Sequence, residues 1–303
     1  MPKPTLICIV GPTAIGKTTL SIAIANALET EIISADSRQF YKEMSIGTAV
    51  PSSEELAAVP HHFIQDRSIF DTYSVGDFER DALRKLEALF SRHEYVVMVG
   101  GSGLYVDAVL KGLDHFPKVD PGIREALNEK LDAEGIETLQ QELQEADPTH
   151  YERVDVQNPH RLIRALEIYR ATGKPYSSFL KSATTQRSFN TVLIGLTADR
   201  EIVYERINKR VDIMIEQGLI EEARTLHQHL DLNALQTVGY RELFAYFDGT
   251  LSKDEAISEI KKNTRRFAKR QGTWFRKNPD IQWFDHSTAV ATILEFIKTK
   301  SAQ

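Results

Sequence analysis

Short runs of consecutive apolar residues alternate along the chain with longer stretches where apolar positions recur every three or four residues. Thr5–Val10 is an unbroken β-rich run, the pattern of a strand buried on both faces. A helix follows over Lys17–Leu28, then a short strand over Glu31–Ser34. In Val75–Arg92 the residues Val75, Phe78, Ala82, Leu86 and Leu89 form one apolar stripe, which predicts a helix. Tyr95–Val99 is another all-apolar strand, Thr191–Leu196 a late one and Ile281–Phe284 a final short one. Strands alternating with helices predict an α/β fold, a doubly wound parallel sheet.

Residues 114–189 break that rhythm. Ile123–Ala133, Ile136–Glu145 and Pro159–Ala171 carry helical patterns with no strand between them. Asn158 caps the third, Pro159 opens it, and Gly173 followed by Pro175 stops it. The expected organisation is therefore an α/β core from residues 1–113 and 190–303, interrupted by an all-helical insertion over 114–189. From Ile202 to Phe275 the chain is again mostly helical.

Of the 303 residues, 42% are hydrophobic and 26% charged, the mix of an ordinary globular protein. One cysteine, Cys8, excludes a disulfide framework and a cysteine-rich zinc finger. No apolar run approaches the roughly 18 residues of a membrane span. The stretch before Gly11 reads as a first strand rather than a signal peptide, so a cytoplasmic location is expected. The net charge is −6, yet Lys261–Pro279 holds eight basic residues and no acidic one. Such a segment can steer a polyanion onto an acidic protein.

Gly11, Pro12, Thr13, Ala14, Ile15, Gly16, Lys17 and Thr18 complete the pattern G-x-x-x-x-G-K-[ST] between a buried strand and a helix, the context that gives it meaning as a nucleotide-type phosphate loop. Its glycines let backbone N–H groups wrap phosphate oxygens, and the helix N-terminus adds positive potential. Lys17 offers a point charge, and Thr18 can hold a Mg²⁺ bridging phosphates. Most such loops take ATP or GTP, but the chemistry requires only a pyrophosphate.

Residues just after the other strands should converge on this loop, because ligands sit beyond the carboxyl ends of a parallel sheet. Asp36 follows the second strand; it is either a metal-linked ligand or proton acceptor, or the cap of a turn. Ser102, after Tyr95–Val99, is a hydroxyl donor or simply the polar residue of a glycine turn. That strand ends without the acid that a motor-type ATPase uses for Mg²⁺. Arg200, Arg206 and Arg210 follow the late strand at a spacing that suits a clamp on a leaving phosphate group, or a solvated face with Glu201 and Glu205 pairing to Lys209 and Arg210. Within the basic segment, Ile257, Ile260, Thr264, Phe267, Ala268, Gln271 and Trp274 are expected to pack inward. Trp283 is expected in the core as well, and the pairs His61/His62 and His227/His229 lack the third ligand of a metal site.

Taken in order along the chain, these motifs resemble the tRNA dimethylallyltransferase (tRNA isopentenyltransferase) family nearly end to end. The resemblance rests on Gly11–Thr18, Asp36–Tyr41, Ile46–Pro51, Pro60–His62, Val99–Tyr105, Asn158–Arg161, Arg164–Glu167, Thr237–Tyr240 and Lys269–Trp274. It implies transfer of a dimethylallyl group from dimethylallyl diphosphate to N6 of adenosine 37, in tRNAs reading codons that begin with uridine. The phosphate loop would then hold the donor diphosphate rather than ATP, with Mg²⁺, and Arg200 and Arg206 would hold the same diphosphate. Asp36 matches the base that takes the amine proton, and Ser102 a position usually held by Thr. Contacts to the tRNA anticodon stem-loop are implied for Asp36, Ser37, Arg38, Gln39, Ser102 and Arg124. They are implied also for Gln157, Asn158, Pro159, His160 and Arg161, and for Gln236, Thr237, Val238, Gly239, Tyr240 and Arg241. The last group is Lys269, Arg270, Gln271, Gly272, Thr273, Trp274, Phe275 and Arg276. A monomer without an obligate protein partner is expected.

Two departures stand out: Ile15 replaces the family's usual Ser, and Ser102 its usual Thr. Three other functions fit parts of the pattern. They are a small-molecule kinase with an arginine-bearing lid, a prenyltransferase acting on free adenine nucleotides, and a non-enzymatic RNA binder on a decayed phosphate-loop fold. Intact Lys17, Thr18, Asp36 and Arg206 argue against the last, and the basic segment and long insertion favour a macromolecular acceptor.

Overall fold

The computed structural model describes residues 3–180 and 185–302. Met1 and Pro2 of the N-terminal stretch, residues 181–184 of the expected insertion and Gln303 lie outside the described residues. The chain divides into two compact units, Met1–Lys111 with Gln186–Gln303, and Gly112–Thr185.

The first unit is built on a six-stranded, wholly parallel sheet. Its strands are β1 (Thr5–Val10), β2 (Ile32–Ser34), β3 (His61–His62), β4 (Tyr95–Val99), β5 (Asn190–Thr197) and β6 (Gln282–Asp285), in the order β3-β2-β4-β1-β5-β6. Every residue of β1 is buried because both faces are covered. Leu6, Cys8 and Val10 belong to one apolar cluster, with Phe40, Phe78 and Met98. Ile7 and Ile9 point the other way, into a cluster with Ile24, Val97, Ile194 and Ile207. This alternation is the period-two geometry of a strand. His61–His62 as a strand was not expected. It is only two residues long, and His62 Nε2 meets Glu31 Oε2 at 2.7 Å, so its polar side chains gave no strand signal.

Around the sheet lie α1 (Lys17–Ala27), α2 (Ser53–Ala58), α3 (Val75–Phe90) and α4 (Gly103–Lys111). The second unit contains α5 (Pro121–Glu134), α6 (Ile136–Ala146), α7 (Pro148–Tyr151) and α8 (Pro159–Thr172) around its own core of Leu127, Leu139, Leu143, Leu162 and Leu166. Back in the first unit, α9 (Arg200–Glu216), α10 (Leu219–Leu226), α11 (Tyr240–Phe247), α12 (Lys253–Phe275) and α13 (Val290–Ser301) complete the fold. A parallel sheet with a phosphate loop after its central strand makes the first unit a P-loop NTPase-like α/β core.

Between β1 and α1 the chain turns sharply. Gly11 has φ 146°, and a Cβ there would lie 2.7 Å from the Leu196 carbonyl, so no larger residue fits. Ala14 sits in the left-handed region at φ 63°. Ile15 is buried in an apolar cluster with Ile7, Ile9 and Leu20.

Candidate active site

Two cavities open at the carboxyl edge of the sheet. The first, about 570 Å³, is lined by Thr13–Thr19 of the phosphate loop, by Asp36 and Gln39, and by Ile46, Thr48–Ser53, Arg210 and Met214. The second, about 450 Å³, is lined by Ser37, Arg38 and Ser102, by Gln236–Gly239 and Arg241, and by Phe267, Arg270 and Trp274. Thr13, Asp36, Thr48, Ala49, Arg210 and Met214 line both. Asp36 therefore stands where the two meet.

Charge is concentrated around the first cavity. Lys17 Nζ donates to the carbonyls of Gly11 (3.0 Å) and Pro12 (2.8 Å). Burial lowers its pKa to about 8, the Asp36 carboxylate pulls it back up, and the Arg210 guanidinium pushes it down. Burial raises the Asp36 carboxyl above its usual range, while the Arg38 N–H (3.1 Å to Oδ1) and the Lys17 ammonium act against this. Burial also lowers Arg210, with Glu55 opposing. The first cavity thus holds two desolvated cations, Lys17 and Arg210, and two carboxylates, Asp36 and Glu55.

Several predicted residues serve the site through others. Ser102 Oγ accepts from the Ser37 N–H (3.1 Å) and lies 3.1 Å from Ser37 Oγ, so it fixes the loop carrying Asp36. Gln39 Nε2 donates to the carbonyls of Thr48 and Ala49. Arg38 donates to the Asn233 and Ala234 carbonyls, and Gln236 to the Leu230 carbonyl. Arg206 Nη1 reaches the Ile15 carbonyl at 3.3 Å and so supports the phosphate loop from behind. Arg200 lies over the Tyr204 ring and lines a third cavity with Pro12, Lys269, Gly272 and Arg276, outside the first. Of the three arginines whose spacing suits a clamp, Arg210 is the one that lines the first two cavities. Neither Glu201 nor Glu205 forms an ion pair with Lys209 or Arg210 among the described residues.

The basic helix differs from expectation in its inward face. Ala256, Ile260, Ala268, Gln271 and Phe275 are buried, but Phe267 (38% exposed) and Trp274 (40%) are not. Both rings line the second cavity, and Trp274 Nε1 donates to Asp107 Oδ2 at 2.9 Å. The stripe read from the sequence was wider than the surface α12 actually covers. Trp283 is half-buried beneath Arg276. Gln271 turns inward: Oε1 accepts from the Thr13 N–H and Nε2 donates to the Gly101 carbonyl, each at 2.9 Å. Lys261 and Lys262 have acidic partners, Asp212 and Glu259, and Arg265 bonds Asn208. Lys269, Arg270, Thr273 and Arg276 are exposed, whereas Gly272 is buried.

In the second unit, Asn158 caps α8 and Pro159 opens it, leaving Gln157, His160 and Arg161 exposed at its start. Arg124 Nε is committed to the buried Glu167 at 2.7 Å.

The family model described as IPP transferase matches residues 39–278. The chain belongs to the IPP transferase family. It is 62% identical to a tRNA dimethylallyltransferase of Christiangramia forsetii, over 97% of this chain and 98% of that one. It is 57% identical to a tRNA dimethylallyltransferase of Flavobacterium psychrophilum, over 97% and 98%. The solved tRNA isopentenylpyrophosphate transferase of Bacillus halodurans superposes with a TM-score of 0.74 at 39% identity, covering 99% of this chain and 97% of that one. A eukaryotic dimethylallyltransferase acting on tRNA superposes with a TM-score of 0.80 at 25% identity, covering 98% and 80%. As an IPP transferase the chain is an enzyme that modifies tRNA, and no helix among its described residues is long and apolar enough to cross a membrane.

Proposed function

We propose that this IPP transferase moves a dimethylallyl group from dimethylallyl diphosphate to N6 of adenosine 37 in tRNAs that read codons beginning with uridine. The observation that carries the reading is the pair of cavities meeting at Asp36. One is lined by the phosphate loop and suits a diphosphate ester. The other is lined by Arg38, Arg210, Arg241 and Arg270 and by two exposed aromatic rings, which suits a base taken out of its stack beside its phosphates.

In this reading Lys17, Arg210 and the loop N–H groups receive the charge that develops on the departing diphosphate. Arg206 keeps the loop in shape through the Ile15 carbonyl. As the C–N bond to N6 forms and the allyl C–O bond breaks, Asp36 takes the N6 proton. Its raised pKa makes it a better proton acceptor than an exposed carboxylate. Ser102 keeps the Asp36 loop in register through the Ser37 N–H. The hard hydroxyl oxygen of Thr18 on the cavity wall fits Mg²⁺, which needs few protein ligands when a substrate supplies phosphate oxygens. When bound, Mg²⁺ would neutralise diphosphate charge, with Thr18 as its protein ligand. Arg241, Lys269, Arg270 and Arg276, together with Gln157–Arg161, would meet the anticodon stem-loop.

Incubation with labelled dimethylallyl diphosphate and either total tRNA or AMP tests this. Label is expected in N6-(dimethylallyl)adenosine from tRNA digests. Label in AMP alone would favour the free-nucleotide prenyltransferase, and label in neither would overturn the assignment.

A further inference from the structure

The loop Ser45–Pro51 forms part of the boundary between the two cavities, beside Thr13, Asp36, Arg210 and Met214, which also line both. Ser45, Ile46, Val50 and Pro51 face the donor cavity, Gly47 faces the acceptor cavity, and Thr48 and Ala49 face both. Within the loop, the Ala49 N–H donates to the Ile46 carbonyl and the Val50 N–H to the Ser45 carbonyl. Apart from these turns and Thr48 Oγ1 to the Met44 carbonyl (2.6 Å), its backbone is fixed from outside. Gln39 does so at the Thr48 and Ala49 carbonyls.

At the other end stands Glu222 of α10, a residue not singled out by any motif. Glu222 Oε2 accepts from the N–H groups of Ser45 (3.0 Å) and Ile46 (2.8 Å). Its Oε1 accepts from the Gly47 N–H (2.9 Å) and the Tyr240 hydroxyl (2.6 Å). Four donors fill the lone-pair sites of one carboxylate, an arrangement no neutral side chain of this length reproduces. Tyr240 is fully buried, so its side chain packs here rather than at the surface. Its ring lies so close to Gly47 that a Cβ there would come within 2.6 Å of Cε2 and Cζ.

We propose that Glu222 is a positioning residue for the transfer reaction, holding Ser45–Ala49 as part of the boundary that lets donor and acceptor meet at Asp36 while keeping water off the allyl carbon. The inference rests on the prenyl-transfer reading above. If this boundary loosens, water replaces the adenine amine: water oxygen bonds to the allyl carbon, the C–O bond to diphosphate breaks, and the water proton leaves to solvent. The products are dimethylallyl alcohol and diphosphate.

The test compares wild type with Glu222→Gln and Gly47→Ala, measuring far-UV dichroism, donor KM, tRNA Kd, and the ratio of dimethylallyl alcohol to prenylated tRNA. Gln leaves at least one N–H without an acceptor, and Ala at 47 drives the loop off Tyr240 by a separate route. Both variants are expected to raise donor KM and the alcohol ratio about tenfold, the equivalent of one lost charged hydrogen bond, with tRNA Kd within about twofold. Tyr240→Phe, which removes only one of four donors, should give a smaller rise in the same ratio. Should Glu222→Gln fail to fold, Gly47→Ala and Tyr240→Phe decide the matter by the same ratio. An unchanged alcohol ratio in the folded variants overturns the proposal. If wild type itself transfers nothing to tRNA, the prenyl-transfer reading fails instead.

Discussion

Replacing Gln271 by Leu probes the link between the basic helix and the phosphate loop. The amide sits almost fully buried and spans two loops, accepting from the Thr13 N–H and donating to the Gly101 carbonyl. Leu keeps most of the volume but neither bond. The bond to the Gly101 carbonyl is buried, so leaving that carbonyl without its partner costs about 1–3 kcal/mol. Thr13 faces both cavities, where water can take over, so that half costs only about 1 kcal/mol. The sum is a loss of about 2–4 kcal/mol in unfolding free energy, together with a raised donor KM because the Thr13 amide is no longer held. Urea unfolding followed by far-UV dichroism gives the first quantity and steady-state transfer the second. A stability loss under about 1 kcal/mol would show that the clamp carries no energy. Loss of tRNA affinity with stability and donor KM unchanged would mean that Gln271 touches RNA and that its buried role is misread.

Asp36→Asn keeps shape but removes the proton acceptor, and single-turnover transfer at saturating tRNA should slow by about 10²–10⁴; a rate within about threefold of wild type would make Asp36 a positioning residue. The kcat/KM profile should be bell-shaped: activity falls at low pH as the raised Asp36 carboxyl takes up a proton, and falls again above about 8 as Lys17 loses its charge. Lys17→Ala should abolish that upper limb and weaken donor binding while leaving tRNA gel shifts intact. The same depressed Lys17 pKa penalises the donor-free fold below about 8, so stability should rise with pH from there toward the ordinary lysine value, as the folded state sheds a proton that the unfolded chain keeps. Lys269→Ala and Arg270→Ala should each weaken target and non-target tRNA alike and flatten the salt slope by about one unit; a loss confined to target tRNA would mean base reading instead.

The sequence by itself determined the sheet core and the phosphate loop. Thr5–Val10 is apolar on both faces because it is covered on both faces, and Gly11–Thr18 carries its geometry in local backbone requirements. Period and turn chemistry are local properties, so they can be read without coordinates. The helix Pro159–Thr172 followed for the same reason, from the caps at Asn158 and Gly173. The tertiary structure decided everything that depends on which surfaces meet. It put Phe267 and Trp274 on a cavity wall, because α12 covers a narrower stripe than its apolar positions suggest. It turned Gln271 and Tyr240 inward from a segment that reads as a nucleic-acid surface. It gave Lys261 a partner in Asp212, which no count of acids within the basic segment could reveal. Arg210, not Arg200, lines the first cavity, because the direction of each side chain on α9 depends on how that helix packs against the sheet. Glu222 lies 175 residues from Gly47 and carries no motif; its meaning exists only where the two backbones come together.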